Sequence, residues 1–224
     1  MSYDPATKIQ ELSAFGEFGG VNPSITDSST YTFLKSETMK ELFESEIEGC
    51  FLYSRHWNPS NKYLSDAISA LENSEASQIT SSGISAIACT ILQICEQGDE
   101  IISSRTIYGG TYALFKNVLP KFGITVKFVD ILDLGVVKKN INSKTKMVYC
   151  ESISNPLLDV SDLPELSKIT KKHAIKLVVD NTFSPMAITP INHGADIVIH
   201  SLTKFINGTS DCVAGSISST KDFI

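Results

Sequence analysis

The segment ADIVIHSLTKFING, residues 195–208, joins an apolar, β-branched run to a polar loop with a lysine in its middle. The run ADIVIHS has the near-continuous apolar character of a strand buried on both faces, as parallel strands covered by helices are. Lys204 follows Ser201 and Thr203 in the loop that leaves this strand. A lysine placed there is either an exposed cap on the strand end or a reactive amine whose neighbours hold a cofactor.

Working outward, the same character recurs in ITVKFVD (residues 124–130), KMVYCES (146–152) and IKLVVD (175–180), and the shorter SQIT (77–80) and EIIS (100–103) also read as strands. Helical patterns lie between them. SNKYLSDAISALE puts Leu64, Ala67, Ile68 and Leu71 on one face, with Ser60 as its cap. SSGISAIACTILQICEQG opens at a turn, points Ile84, Ile87, Ala88 and Ile91 inward and stops at Gly98. GTYALFKNVLPKFG reads as a helix interrupted late by Pro120, and ELSKITKKH as a further helix. This alternation predicts an α/β fold over residues 51–224, a three-layer sandwich with a mainly parallel sheet. Residues 1–50 read as an N-terminal arm. FGEFGGVNPS (residues 15–24) is rich in glycine and turn formers, a helical stretch runs from Glu37 to Ile47, and the apolar content is too sparse for a separate core.

Composition narrows the partners. With 42% hydrophobic and 20% charged residues, the 224 residues can bury a sizeable core. A net charge of −6 with scattered lysines gives no footprint for a polyanion, so nucleic acid is not an expected partner. No apolar stretch approaches the roughly 18 residues of a membrane span, and MSYDPATKIQ lacks an export pattern, so neither a membrane nor export is expected and a cytoplasmic location is. The five cysteines include no C-x-x-C pair and read as reduced, buried, small apolar residues. No histidine falls at zinc-ligand spacing from a cysteine, so no metal is expected.

In parallel sheets, ligands bind beyond the carboxyl ends of the strands. The loops there are SSG, RTIYGG, ISNP, DNTF and SLTK. Gly83, at a strand-to-helix turn, exposes N–H groups at the positive end of a helix, where phosphate binds well. Ser201 and Thr203 add hydroxyls. Asp180 emerges from the apolar run KLVV into a poorly solvated place and needs a partner, either a protonated pyridine nitrogen or the amides of a turn. Tyr108 in IYGGTY stacks on a flat ring or packs in the core; Asn155 bonds a ring oxygen or starts a turn before Pro156. Taken singly, each has an ordinary structural use. Lys204 differs, because a desolvated amine has a lowered pKa and forms a Schiff base with an aldehyde. Together the features describe a pyridoxal-phosphate pocket.

Through YSRHWNP, ITSSG, YGGTY, ESISNP, VVDNTFSP and HSLTKFINGTSD, from Tyr53 onward, the chain resembles the Cys/Met-metabolism family of pyridoxal-phosphate enzymes. The resemblance implies the large domain of a type I pyridoxal-phosphate enzyme. Lys204 looks like the aldimine lysine and proton shuttle, Asp180 like the partner of the pyridine nitrogen, Tyr108 like the stacking tyrosine that also acts on the leaving group, and Asn155 like the residue near the ring's 3-oxygen. Gly83, Ile84, Ser201 and Thr203 match the phosphate cradle. Tyr53 and Arg55 match residues that reach a neighbouring subunit's phosphate, which implies a homo-oligomer, a dimer of dimers with shared sites.

The implied activity is β/γ-elimination at a C–S bond, of the methionine gamma-lyase or cystathionine lyase type. The alternative is γ-replacement, of the O-acetylhomoserine sulfhydrylase or cystathionine gamma-synthase type. Gly110 stands where several members carry a cysteine, Ala113 where several carry an arginine, and Thr209 where a histidine is frequent, so the particular substrate does not transfer. The family continues into a C-terminal domain carrying a carboxylate-gripping arginine, for which no candidate follows Lys204. A truncated, non-catalytic interaction subunit is therefore the reading from another class.

Overall fold

The computed structural model describes residues 3–12, 16–44, 47 and 49–224. Seven strands form one sheet in the order β1-β7-β6-β5-β4-β2-β3, with β1 Ala76–Thr80, β2 Glu100–Ser104, β3 Thr125–Val129, β4 Thr145–Glu151, β5 Lys176–Asp180, β6 Ile197–Ser201 and β7 Gly215–Ser219. The pairs β2–β3, β2–β4, β4–β5 and β5–β6 are parallel, and β7 runs antiparallel to both β1 and β6. The six strands expected from the sequence therefore share one direction. Their carboxyl ends lie along one rim.

The unforeseen strand is β7. GSISS has no β-branched run, but two of its hydroxyls are tied across the sheet: Ser218 and Ser77 share a hydroxyl hydrogen bond of 2.8 Å, with Ser69 donating to Ser77 at 2.9 Å, and Ser219 donates to the Asp196 carbonyl at 2.8 Å. Small hydroxyl side chains let β7 fit between β1 and β6. Gly215 is required where β7 begins, since a Cβ there would stand 2.2 Å from the Ser82 carbonyl oxygen.

The pleat sends alternate residues to opposite faces. Met147, Tyr149, Val178, Ile197 and Ile199 pack with Ile87 and Ile91 of α4 (Gly83–Ile94) and with Phe115 and Leu119. Val148, Cys150, Leu177, Val179 and Val198 face Val137 of α6 (Leu134–Asn140) and Leu163 and Leu166 of α7 (Leu163–Lys172). These are the three layers. Each fully buried isoleucine or leucine contributes roughly 1.5–3 kcal/mol.

Several local details depart from expectation. Helix α3 (Pro59–Glu72) is capped by Asn58, whose side chain accepts from Asn61 N at 2.7 Å; Ser60 lies within its first turn. In α4, Ala86 and Thr90 are buried beside Ile87 and Ile91, and Ala88 is only half-buried. Helix α4 ends at Ile94, and Gly98 lies beyond it with φ +97. The segment after Tyr108 breaks earlier than Pro120: α5 (Gly109–Ala113) gives way to a π-turn at Leu114–Val118 and then a 3-10 turn at Leu119–Phe122. Cys95 and Cys150 are buried, whereas Cys89 and Cys212 are exposed.

In the N-terminal segment, α1 (Pro5–Gln10) packs through Ile9 beside Ile68 and Leu71 of α3. The helix expected from Glu37 to Ile47 is found as α2 (Ser36–Glu44), and residues 45 and 46 lie outside those described, as does Phe15 of the glycine-rich stretch.

Candidate active site

The strand-end rim carries a cleft of ≈ 990 Å³. Pleat parity selects what faces it: Glu151, Asp180 and Ser201 continue the α4-side alternation of Tyr149, Val178 and Ile199. The register pairs Glu151 with Asp180 on adjacent strands.

At one wall, Ser82 caps α4 with a capping box in which Ser82 Oγ accepts from Ser85 N (3.0 Å) and Ser85 Oγ accepts from Ser82 N (2.9 Å). Among the described residues the N–H groups of Gly83 and Ile84 have no partner, which leaves two free donors at the positive end of a 12-residue helix. Gly83 is there because the wall is tight: a Cβ would lie 2.7 Å from Ser201 Cβ. Ser201 N donates to Thr182 Oγ1 at 2.7 Å, tying the β5 loop to the end of β6. Thr203 also lines the cleft, but its hydroxyl is engaged with Ala214, donating to the carbonyl at 3.2 Å and accepting from the N–H at 3.1 Å. A ligand oxygen at Thr203 would compete with that bond.

Lys204 sits in the turn after β6, anchored by buried Leu202, with its N–H directed to the Ser201 carbonyl at 3.3 Å. Its side chain is exposed to the cleft, and its amine makes no hydrogen bond or ion pair among the described residues. Asp180 is 9% exposed and accepts from Tyr149 Oη at 3.1 Å and from Thr182 N at 3.0 Å. Burial, followed by the charges of Asp180 and Glu151, pushes the Tyr149 hydroxyl well up, so it stays a donor. The Phe115 ring meets Tyr149 edge-on at 5.1 Å and holds it in place.

Tyr108 is 50% exposed and precedes α5, its ring lying over Gly110, where a Cβ would come within 2.6 Å of Tyr108 Cε1. Asn155 lies in the loop after β4. The main-chain N–H groups of both residues reach one carboxylate: Tyr108 N donates to Glu151 Oε1 at 2.6 Å, and Asn155 N to Glu151 Oε2 at 3.1 Å. Glu151 is 7% exposed, and burial, reinforced by the charge on Asp180 and opposed by those two N–H bonds, pushes its carboxyl up to about 7.

The cleft thus brings together Gly83, Ile84, Tyr108, Asn155, Asp180, Ser201, Thr203 and Lys204, all expected from the sequence. Tyr53 and Arg55 are not among its lining residues. Tyr53 forms an isolated bridge with Thr30, and the Arg55 guanidinium lies 5.3 Å from the centre of the Tyr53 ring. Sequence reasoning missed Glu151, Thr182 and Tyr149. Glu151 had the signal that singled out Asp180, a carboxylate ending an apolar strand, but it lay within a motif read only for Asn155.

A free amine, a buried carboxylate and two unpaired helix N-terminal amides in one cleft fit a phosphorylated aromatic aldehyde with a basic ring nitrogen. The donor set is that of an α/β enzyme dependent on pyridoxal phosphate. The chain belongs to the family described as Cys/Met metabolism PLP-dependent enzyme, whose model matches residues 7–223. It is 43% identical over 227 residues to a methionine gamma-lyase of Arabidopsis thaliana, covering 99% of this chain and 52% of that one. It is 42% identical over 218 residues to a cystathionine gamma-synthase/O-acetylhomoserine (thiol)-lyase of Bacillus subtilis, covering 97% and 56%. Among solved structures, a putative O-acetylhomoserine (thiol)-lyase of Campylobacter jejuni carrying a pyridoxyl-lysine monophosphate superimposes with a TM-score of 0.92 at 28% identity, over 99% of this chain and 55% of that one. The chain spans about half the length of the curated relatives it matches. Among the described residues, no helix is long and apolar enough to cross a membrane.

Proposed function

We propose that the protein is a pyridoxal-phosphate-dependent lyase of sulfur amino acids, of the methionine gamma-lyase or cystathionine lyase type, acting by β/γ-elimination. The observation that carries this reading is the unpaired Lys204 amine in the cleft that holds buried Asp180 and the free amides of Gly83 and Ile84. When bound, the cofactor supplies an electron sink that makes the α-hydrogen of an amino acid acidic.

The chain's own groups supply the rest. The N–H groups of Gly83 and Ile84, with the hydroxyl of Ser201, would hold the phosphate, and the Thr203 hydroxyl would join them on giving up its bond to the Ala214 carbonyl. The Asp180 carboxylate, fixed by Tyr149 and Thr182, would keep a proton on the ring nitrogen. Tyr108 would stack on the ring and present its hydroxyl to the departing sulfur, and Asn155 would bond the ring oxygen. Lys204 Nζ would hold the cofactor and shuttle the α-proton between substrate carbons, a positioned transfer that contributes typically about 10²–10⁴-fold.

Residues 1–50 act as an arm that makes oligomer contacts, with residues 51–224 as the cofactor-binding domain. Leu34 at 105% and Phe43 at 70% exposure support this. Tyr53 and Arg55, away from the cleft of their own chain, complete the phosphate site of a second subunit in a dimer of dimers.

The relatives named for γ-replacement favour a second reading, in which O-acetylhomoserine and a thiol or sulfide combine. One experiment tests both. Purified wild type and Lys204→Ala are mixed with pyridoxal phosphate, their visible spectra recorded, and the adduct reduced with borohydride and mapped. A band lost in the variant, with the reduced cofactor on Lys204, supports the proposal; release of thiol and 2-oxo acid from methionine or cystathionine then supports elimination. Product formed only from O-acetylhomoserine with added thiol moves the reading to replacement. No band in folded wild type overturns both.

A further inference from the structure

We propose that Glu151 is a positioning residue, a carboxylate clamp that ties the Tyr108 and Asn155 walls of the cleft to each other and to the charge state at Asp180. The proposal rests on the cofactor reading above for its purpose, but not for its geometry. Tyr108 enters the cleft from the loop after β2 and Asn155 from the loop after β4, so no continuous element fixes one relative to the other. Glu151, at the end of β4, does so with one oxygen for each N–H, at 2.6 and 3.1 Å.

Both bonds require acceptors, and the ionised carboxylate offers a strong one at each oxygen, whereas protonation turns one oxygen into a donor and weakens it as an acceptor. The clamp is therefore sensitive to what else stands near it. From β5, Asp180 is its register partner and carries like charge; from its own strand, Tyr149 is neutral and donates to Asp180; Lys204 shares the cleft. Burial and Asp180 lift the Glu151 carboxyl to about 7, so the clamp is only partly ionised near neutral pH. A cation placed against Asp180 cancels the repulsion that Asp180 exerts on Glu151. Filling the site with a cationic ring nitrogen thus ionises the clamp and closes the Tyr108 and Asn155 walls. Binding and wall ordering are coupled through two neighbouring strand ends.

The test follows the amide resonances of Tyr108 and Asn155 in protein labelled with ¹⁵N at tyrosine and asparagine, across pH, with and without pyridoxal phosphate. In wild type without cofactor both amides titrate with one shared midpoint near 7. Added cofactor moves that midpoint down, and Asp180→Asn moves it down without cofactor. In Glu151→Gln, whose amide offers one acceptor and turns an NH₂ toward the other N–H, the shared titration is absent. Should Glu151→Gln fail to fold, Glu151→Asp serves: one methylene shorter, it reaches only one of the two N–H groups, and the common midpoint is lost. A residue with a merely structural role would lower stability in these variants without any shared titration in wild type. Separate midpoints, no titration in wild type, or titration persisting in Glu151→Gln overturns the clamp. Wild type that shows the shared midpoint but develops no visible band with cofactor leaves the clamp standing and rejects the cofactor reading instead.

Discussion

The Glu151 carboxyl makes the protein's stability depend on pH in a direction opposite to that of most acidic residues. Its value rises from 4.5 to about 7 on folding, because the pocket desolvates the charge more than the two N–H bonds restore it. A raised carboxyl favours the protonated form in the folded state. Its contribution to stability is full below 4.5, falls as pH rises between 4.5 and 7, and is lost above. At 1.36 kcal/mol per pH unit, the difference amounts to about 3 kcal/mol. The perturbation is Glu151→Gln in cofactor-free protein, and the assay is urea denaturation of both forms at pH 4.5, 6 and 8. Subtracting the two curves removes the titrating groups that lie away from Glu151, including Asp4 and Asp211, whose carboxyls are lowered by their side-chain hydrogen bonds. Stability of wild type relative to Glu151→Gln should fall by about 3 kcal/mol between the lowest and highest pH. A flat difference, or one that rises with pH, would refute the reasoning, since it would mean that the two N–H bonds outweigh burial.

Three other outcomes follow from single contacts. Gly83→Ala places a Cβ 2.7 Å from Ser201 Cβ and 3.0 Å from its Cα, so strand main chain has to shift; it should destabilise by about 1–3 kcal/mol and weaken cofactor affinity at least tenfold in an absorbance titration. Gly110→Ala has the half-exposed Tyr108 ring as its nearest neighbour, which can swing away, so thermal unfolding should stay within about 0.5 kcal/mol of wild type while KM and kcat change together. Glu72→Leu removes the acceptor that fully buried His200 Nε2 meets at 2.5 Å and Asn181 Nδ2 at 3.0 Å; chemical denaturation should show a loss of about 3–5 kcal/mol, and a loss under about 1 kcal/mol would mean that the pair is not held as described.

The rim of the cleft was legible in the sequence because parallel strands write themselves as apolar runs, and the residue after each run has few places to go. That rule located Asp180, Lys204, Ser201 and Gly83 without coordinates. It had no means of seeing β7, whose GSISS lacks apolar patterning and is held by cross-strand hydroxyls to Ser77. Nor did periodicity foresee the π-turn at Leu114–Val118, because the apolar spacing there suits a continuous helix. Asn58 won the α3 cap over Ser60 because Pro59 fits the first helical position, where its missing N–H has no bond to lose. Glu151 was missed for a different reason. Its role is carried by main-chain N–H groups of residues distant in sequence, and no side-chain pattern records them.

The order of these groups across the sheet accounts for the orientation that the proposed cofactor would take. Gly83 and Ile84 abut Ser201 at the end of β6, Asp180 ends the adjacent β5, and Glu151 ends β4 beyond it. Strands stand roughly 4.8 Å apart, so free amide donors and buried carboxylates occupy neighbouring positions on one line. A molecule with a phosphate at one end and a cationic nitrogen at the other meets complementary charge at both ends in one sense and like charge at both ends in the other. Tyr108, held by Glu151, would then lie over the ring at the negative end, with the Lys204 amine in the loop beside the free amides. The two glycines that permit this line, Gly83 against Ser201 and Gly215 against Ser82, do so by removing side chains at contacts under 3 Å. The charge axis of the site is thus set by sheet order and by two missing Cβ atoms, before any side chain in the cleft selects a substrate.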